Sequence, residues 1–274
     1  MKKLITRTIT GIVLVFVMLT AIWISEYSFA VLFISILAGG LFEFSNLYKQ
    51  SEIRPNKWLS FLISLLLFGT SFLVAKGIID TKYFLCFFPL FLMIMAAELY
   101  RKKQKPLENI AITIFSIVYL AIPLSLINFL VFPEIFPGNG YSPKLLIALF
   151  ILIWTYDSGA YLFGVSMGKH RLFERISPKK SWEGAVGGTL TTGVAATIIS
   201  GYITEIQLNH WIAISILTVV CSTFGDLTES MFKRFFQIKD SGQIFPGHGG
   251  ILDRFDSILF AVPVIVLYLK IIIE

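Results

Sequence analysis

Toward the C-terminus, acids, bases and glycines crowd into one short stretch. It runs through Gly225-Asp226, Ser230, Lys233-Arg234, Lys239-Asp240, Pro246-Gly247-His248-Gly249-Gly250 and Asp253-Arg254-Phe255-Asp256. Ser222, Asp226, Glu229/Ser230 and Lys233 recur at intervals of three and four, which on a helix makes one polar stripe. Asp253 and Asp256 share a face if a helix begins there. Acids beside several bases suit phosphate chemistry. Carboxylate oxygens hold Mg²⁺ while leaving positions for water and substrate phosphates. Lys and Arg neutralise phosphate oxygens as charge builds in the transition state. The glycine run gives a turn whose amides can approach a phosphate closely. The chain has no G-x-x-x-x-G-K-[ST] run, which argues against an ordinary P-loop. The competing interpretation is a set of salt bridges from the acids to Lys233, Arg234 and Arg254. The glycine turn set among Asp226, Asp253 and Asp256 favours metal–phosphate chemistry. His248 alone is a weaker signal, since a histidine beside glycines also caps turns.

A second cluster holds Trp154-Thr-Tyr156-Asp157-Ser-Gly-Ala-Tyr161, then Gly168-Lys169, then Ser177-Pro-Lys179-Lys180-Ser181-Trp-Glu183-Gly184. Asp157 sits in apolar surroundings, seven residues before Gly164. That is about 10 Å along a helix, recessed from the aqueous surface. A carboxylate at such a depth needs a partner or water, so Asp157 is expected to line the same cavity as Asp226. A hydrogen-bonded packing role is the alternative. Ser177-Pro178 reads as a turn leading into the next helix. Lys179 and Lys180 are either phosphate contacts or plain anchors at a membrane surface. Gly184, Gly188 and Thr192 form a small-xxx-small row, most simply a helix-packing face.

The elements that must carry these residues are membrane helices. Of the 274 residues, 56% are hydrophobic and 15% charged, against about 25% charged in soluble chains. That excludes a soluble enzyme, a disordered chain and a disulfide scaffold, and 26 Phe residues suit lipid-facing helices. Cys86 and Cys221 both fall in apolar runs and imply neither disulfide nor metal knuckle. Spans of roughly 17–25 apolar residues are read at about 8–25, 28–44, 58–75, 82–98, 110–132, 144–164, 184–202, 210–224 and 257–273. The eighth is expected to continue as a helix beyond the membrane surface, since no Pro interrupts residues 211–237. The first follows Lys2, Lys3 and Arg7 like a signal peptide but lacks a small-x-small cleavage site, so it is read as retained. With nine spans, 19 of the 23 basic residues fall on the side of the N-terminus, which by the positive-inside rule is cytoplasmic. The expected fold is therefore an all-α polytopic bundle. Residues 1–143 would form a lipid-facing scaffold, and 144–274 a catalytic region with cytoplasmic loops.

Both clusters resemble motifs of the phosphatidate cytidylyltransferase family, also called CDP-diacylglycerol synthases. Residues 230–256 keep the Ser, Lys-Arg, Lys-Asp, His-Gly-Gly and Asp-Arg-x-Asp elements of its signature, and 177–184 match a second motif with Ser181 where Thr is common. The resemblance is specific over about 150–260; in the first half only hydrophobicity and topology agree. It implies an all-helical membrane bundle with a cytoplasm-facing polar cavity, in the cell (inner) membrane. The activity implied is transfer of CMP from CTP to phosphatidic acid, giving CDP-diacylglycerol and pyrophosphate. By similarity Asp226, Asp253 and Asp256 bind Mg²⁺, with K⁺ as a second ion in some members.

On that resemblance, Lys233, Arg234, Lys239 and Arg254 join the three acids as catalytic candidates. Asp157, Ser177, Lys179, Lys180, Ser230, His248, Gly249 and Gly250 are substrate-binding candidates. The expected partners are CTP, phosphatidic acid and membrane lipids, with no nucleic acid; a homodimer is an assembly that these residues do not encode. A transporter for an anionic substrate is the alternative class. It fits less well, because no inverted repeat is visible and the polar residues crowd to one side. An enzyme acting on an ether-linked phosphatidate has no distinguishing residue.

Overall fold

The computed structural model describes residues 2–49, 51–136, 140–242, 244 and 249–273. Pro246, Gly247 and His248 of the glycine run lie outside the described residues. Helix dominates: α1 (Lys2–Ile24), α2 (Glu26–Leu47), α3 (Lys57–Ala75), α4 (Phe87–Arg101, entered through a 3-10 turn), α5 (Pro106–Ser116), α6 (Ile122–Leu126), α7 (Asn128–Val131), α8 (Lys144–Met167), α9 (Trp182–Tyr202), α10 (Leu208–Phe235) and α11 (Leu252–Ile273). Between α8 and α9, β1 (Arg171–Phe173) pairs antiparallel with β2 (Ser177–Ser181). Ser177 therefore opens a strand and not a turn. Pairing with Arg171–Phe173 draws it out, and the helix starts only at the Ser181 cap.

Seven helical stretches are long and apolar enough to cross a membrane: Glu26–Leu47, Lys57–Ala75, Thr81–Arg101, Pro106–Val131, Lys144–Met167, Leu208–Phe235 and Leu252–Ile272. The described apolar part of α1, Ile9–Ile24, is shorter. α9 is long enough but diluted by five Gly and four Thr. α10 runs on to Phe235 without a break, as the absence of Pro led us to expect.

The chain groups into two compact units. The first comprises residues 1–133, 139–141 and 240–254. Its core is aromatic, with Phe29, Phe33 and Phe68 fully buried and the Phe29 and Phe33 rings 4.9 Å apart. Between α5 and α6 the backbone widens into a π turn at Ile117–Ala121, just before Pro123. Proline has no N–H for the preceding turn's carbonyl, and a π turn relieves that mismatch. Polar side chains knot the helices where apolar packing cannot: the Ser60 and Ser116 hydroxyls meet at 2.7 Å, and Asn109 donates to Glu98 at 2.7 Å.

The second unit comprises residues 134–138, 142–239 and 255–274. Here α8 and α9 approach backbone to backbone, because Gly184 and Gly188 offer no side chain. A Cβ on Gly188 would come within 2.8 Å of the Tyr156 ring, and one on Gly184 within 3.2 Å of the Gly164 Cα. The small-xxx-small row is thus a packing face. Thr192, its third member, is fully buried. Trp211 anchors the start of α10, buried and donating from its indole N–H to the Ile203 carbonyl at 3.3 Å.

Candidate functional site

In the second unit the polar stripe of α10 forms as its spacing requires. Asp226 and Glu229 lie one turn apart, and the Ser230 hydroxyl donates to Asp226 at 3.3 Å. Glu229 is buried and ion-paired with Lys233 four residues on. The first turns of α11 bring Asp256 alongside. Gly225 makes this possible, since a Cβ there would run into the Asp256 carbonyl. Carboxylate oxygens of Asp226, Glu229 and Asp256 then all lie within 4.8 Å of one another. Like charges so close at the edge of an apolar bundle require a counter-charge. Lys180 supplies one, its Nζ 2.5 Å from Asp226.

That lysine comes from β2. Successive side chains on a strand face opposite ways, so Lys180 turns toward Asp226 while Lys179 stays exposed. The strand is held at both ends. Ser177 pairs with Phe173, and the Ser181 hydroxyl accepts from the Gly184 N–H at 3.2 Å, capping α9. Glu183 secures the loop behind it. Its carboxylate accepts from the Lys169 and His170 amides and lies 2.6 Å from His170 Nδ1. The His170 side chain and these amides hold the Glu183 pKa down at about 2.

α8 borders the same acids. Tyr156 is buried and its hydroxyl meets Thr223 of α10 at 2.5 Å, one turn before Asp226. Asp157 beside it is exposed on the chain's surface, close enough for its charge to bear on Asp256. Three carboxylates of this kind are a hard-oxygen donor set, the chemistry that Mg²⁺ and related cations prefer. Asp226, Glu229 and Asp256 could hold such an ion.

Asp253 belongs to the first unit, where one carboxylate oxygen accepts from the Ser241 amide and hydroxyl, each at 2.9 Å, and from the Gly250 amide at 2.8 Å. Gly249 turns the chain into that bond with φ +81°, a conformation that glycine adopts without strain. Arg234, Lys239 and Arg254 are exposed. The cluster's third acid is Glu229, which spacing put on the stripe but which the sequence reading did not count as a ligand. A second acid, Glu43 on α2, was passed over altogether. It is 3% exposed in the first unit and accepts from the Leu252 amide at 3.1 Å. Its signal was plain: a carboxylate inside an apolar span is by default a functional candidate.

Comparison with known proteins bears on what the acids do. The sequence model of the cytidylyltransferase family matches residues 5–272. A phosphatidate cytidylyltransferase of Haemophilus influenzae is 48% identical over 124 residues, 43% of this chain and 43% of its own length. Its namesake in Staphylococcus haemolyticus is 48% identical over 119 residues, 42% of this chain and 45% of its own. One from Staphylococcus epidermidis is 36% identical over 176 residues, 63% of this chain and 64% of its own. Each match therefore spans less than two thirds of the relative.

Proposed function

The chain belongs to the cytidylyltransferase family, and from that premise we propose that it transfers CMP from CTP to phosphatidic acid, releasing pyrophosphate. The observation that carries the reading is the cluster of Asp226, Glu229 and Asp256 with Lys180 set against it. The names of the relatives support the choice of substrates.

In this reading a phosphate oxygen of phosphatidic acid bonds to the α-phosphorus of CTP. The bond from that phosphorus to the bridging oxygen breaks, and its electron pair leaves with pyrophosphate. A phosphate monoester is already largely ionised near neutral pH, so the protein needs no strong base. Its task is to hold two anions in line and screen their repulsion. Asp226, Glu229 and Asp256 would hold Mg²⁺, which would supply positive charge to the phosphates. Lys180 neutralises Asp226 and is positioned to meet a phosphate oxygen. Lys233 does the same from Glu229. Asp253 fixes the glycine turn through the Gly250 amide, and the exposed Lys179, Arg234, Lys239 and Arg254 offer cations to the incoming triphosphate or headgroup. Asp157 borders the nucleotide.

The membrane setting follows from the same reading: nine spans, a cytoplasmic N-terminus, and a site open to cytoplasmic CTP. Seven sufficiently apolar helices support a multi-pass chain; with α1 and α9 as two further spans, the basic residues fall mostly on the N-terminal side, which supports its cytoplasmic placement. Pyrophosphate release by the purified protein tests the reaction. It should require CTP, Mg²⁺ and phosphatidic acid together. Release that is indifferent to the lipid would make the chain a nucleotide hydrolase and overturn the proposal.

A further inference from the structure

Glu43 sits in the last turns of α2, in the half of the chain whose sequence reads as apolar filler. Its side chain is almost wholly buried, and no cation pairs with it among the described residues. Its partners are the backbone and side chains of the segment before α11. One oxygen accepts from the Leu252 N–H at 3.1 Å and lies 3.5 Å from the Ser241 hydroxyl. That hydroxyl also donates to Asp253 at 2.9 Å. Leu252 is the first residue of α11, so Glu43 satisfies one of the amides that a helix start leaves without an intrahelical partner.

The surroundings are shaped to this tie. Gly242 and Gly250 both press against the Glu43 carboxylate, and a Cβ on either would collide with it. One turn before Glu43, α2 carries Gly39, where a Cβ would collide with the buried Ile251 side chain. Gly39 on one side and Gly242 and Gly250 on the other thus let the described residues on either side of the glycine run come directly against α2. A buried carboxylate is costly to keep unless it is hydrogen-bonded, and here its bonds all go to the segment that holds Asp253.

We propose that Glu43 is a positioning residue for the transferase: through the Leu252 amide and the Ser241 hydroxyl it fixes Ser241 and the first residue of α11, and thereby Asp253, which bonds to Ser241 and Gly250. The proposal rests on the transferase reading above. Its test therefore pairs turnover with a measurement that needs no activity, amide hydrogen exchange across residues 241–252 in the purified full-length protein.

Glu43→Ala removes the acceptor; Glu43→Gln keeps an acceptor oxygen and removes the charge. Glu43→Ala is expected to speed exchange at Leu252 and its neighbours by roughly tenfold or more. It should also lower kcat by roughly tenfold or more, with the KM for CTP changed by less than about threefold. Glu43→Gln should restore both toward wild type. Equal damage in Glu43→Gln and Glu43→Ala would show that charge matters and not position, and would overturn the proposal. So would unchanged exchange in Glu43→Ala. If Glu43→Ala fails to fold, Ser241→Ala and Gly242→Ala disturb the same tie from the other side. Faster exchange in both supports the proposal, and wild-type exchange in both overturns it. A wild-type protein without turnover would refute the transferase reading, while the exchange comparison would still decide whether Glu43 holds the segment.

Discussion

Asp226, Glu229 and Asp256 differ in what each can lose. Asp226 keeps two neighbours, Lys180 and Ser230, whereas Asp256 is joined to the group by its place on α11 and the Ser257 amide at 2.7 Å. Asp256→Asn preserves size and that amide bond but removes a charge from the hard-oxygen set. It is expected to abolish turnover while leaving the melting temperature in detergent at or above the wild-type value, since three crowded carboxylates repel. Normal turnover would remove Asp256 from the site. Glu229→Gln should raise the Mg²⁺ concentration for half-maximal rate by about tenfold or more; an unchanged Mg²⁺ dependence would assign Glu229 to pairing with Lys233 alone. Asp226 and Asp256 were legible because acids at helical spacing beside glycines form a pattern in the sequence itself. Glu229 lay in the same stripe, but spacing could not tell a ligand from the partner of Lys233. Glu43 was not legible as a partner because the amide it holds is 209 residues away. Nothing local marks such a tie except the anomaly of an acid in an apolar run.

At the scale of elements, the long helices could be read because each is a sustained apolar run, and the end of α10 because no Pro interrupts it. The hairpin was hidden. Its strands are three and five residues long and largely charged, so they show no alternation of apolar and polar residues. Pairing across the turn makes them strands. The hairpin's service is to aim Lys180, and Glu183 fastens its base. Because the folded-state pKa of Glu183 lies near 2, below its ordinary 4.5, the contribution of Glu183 is present above pH 4.5 and is lost as pH falls toward about 2. Glu183→Gln should therefore speed amide exchange at Lys169 and His170 at neutral pH, and the difference from wild type should shrink across that acid window. A difference that persists below pH 2 would assign the effect to shape and not to charge. The α8–α9 face makes a sharper demand. Gly188→Leu would drive a side chain into Tyr156 and should cost about 1–3 kcal/mol or more, read as a lowered melting temperature with loss of turnover. A stable, active Gly188→Leu protein would mean that the glycine row is not a close-packed face.

For the whole molecule, the proposed nine-span arrangement puts most basic residues and the acids on the cytoplasmic side, a single claim about sidedness. With Cys86 and Cys221 replaced, single cysteines at Lys103 and Lys179 should react with an impermeant reagent only from the cytoplasmic side, and one at Glu134 only from outside. Labelling of the Lys179 position from outside would break the nine-span arrangement and cut the proposed site off from CTP. The apolar character of the fold could be read from composition; what it serves rests on which phosphorus is attacked. The most direct measurement supplies the purified protein with phosphatidic acid, Mg²⁺ and CTP carrying label either at the α- or at the γ-phosphate. Nucleotidyl transfer predicts that α-label enters the lipid as CDP-diacylglycerol while γ-label leaves entirely as pyrophosphate, in equal amounts. Lipid that acquires γ-label, or pyrophosphate formed with no labelled lipid, would contradict the account.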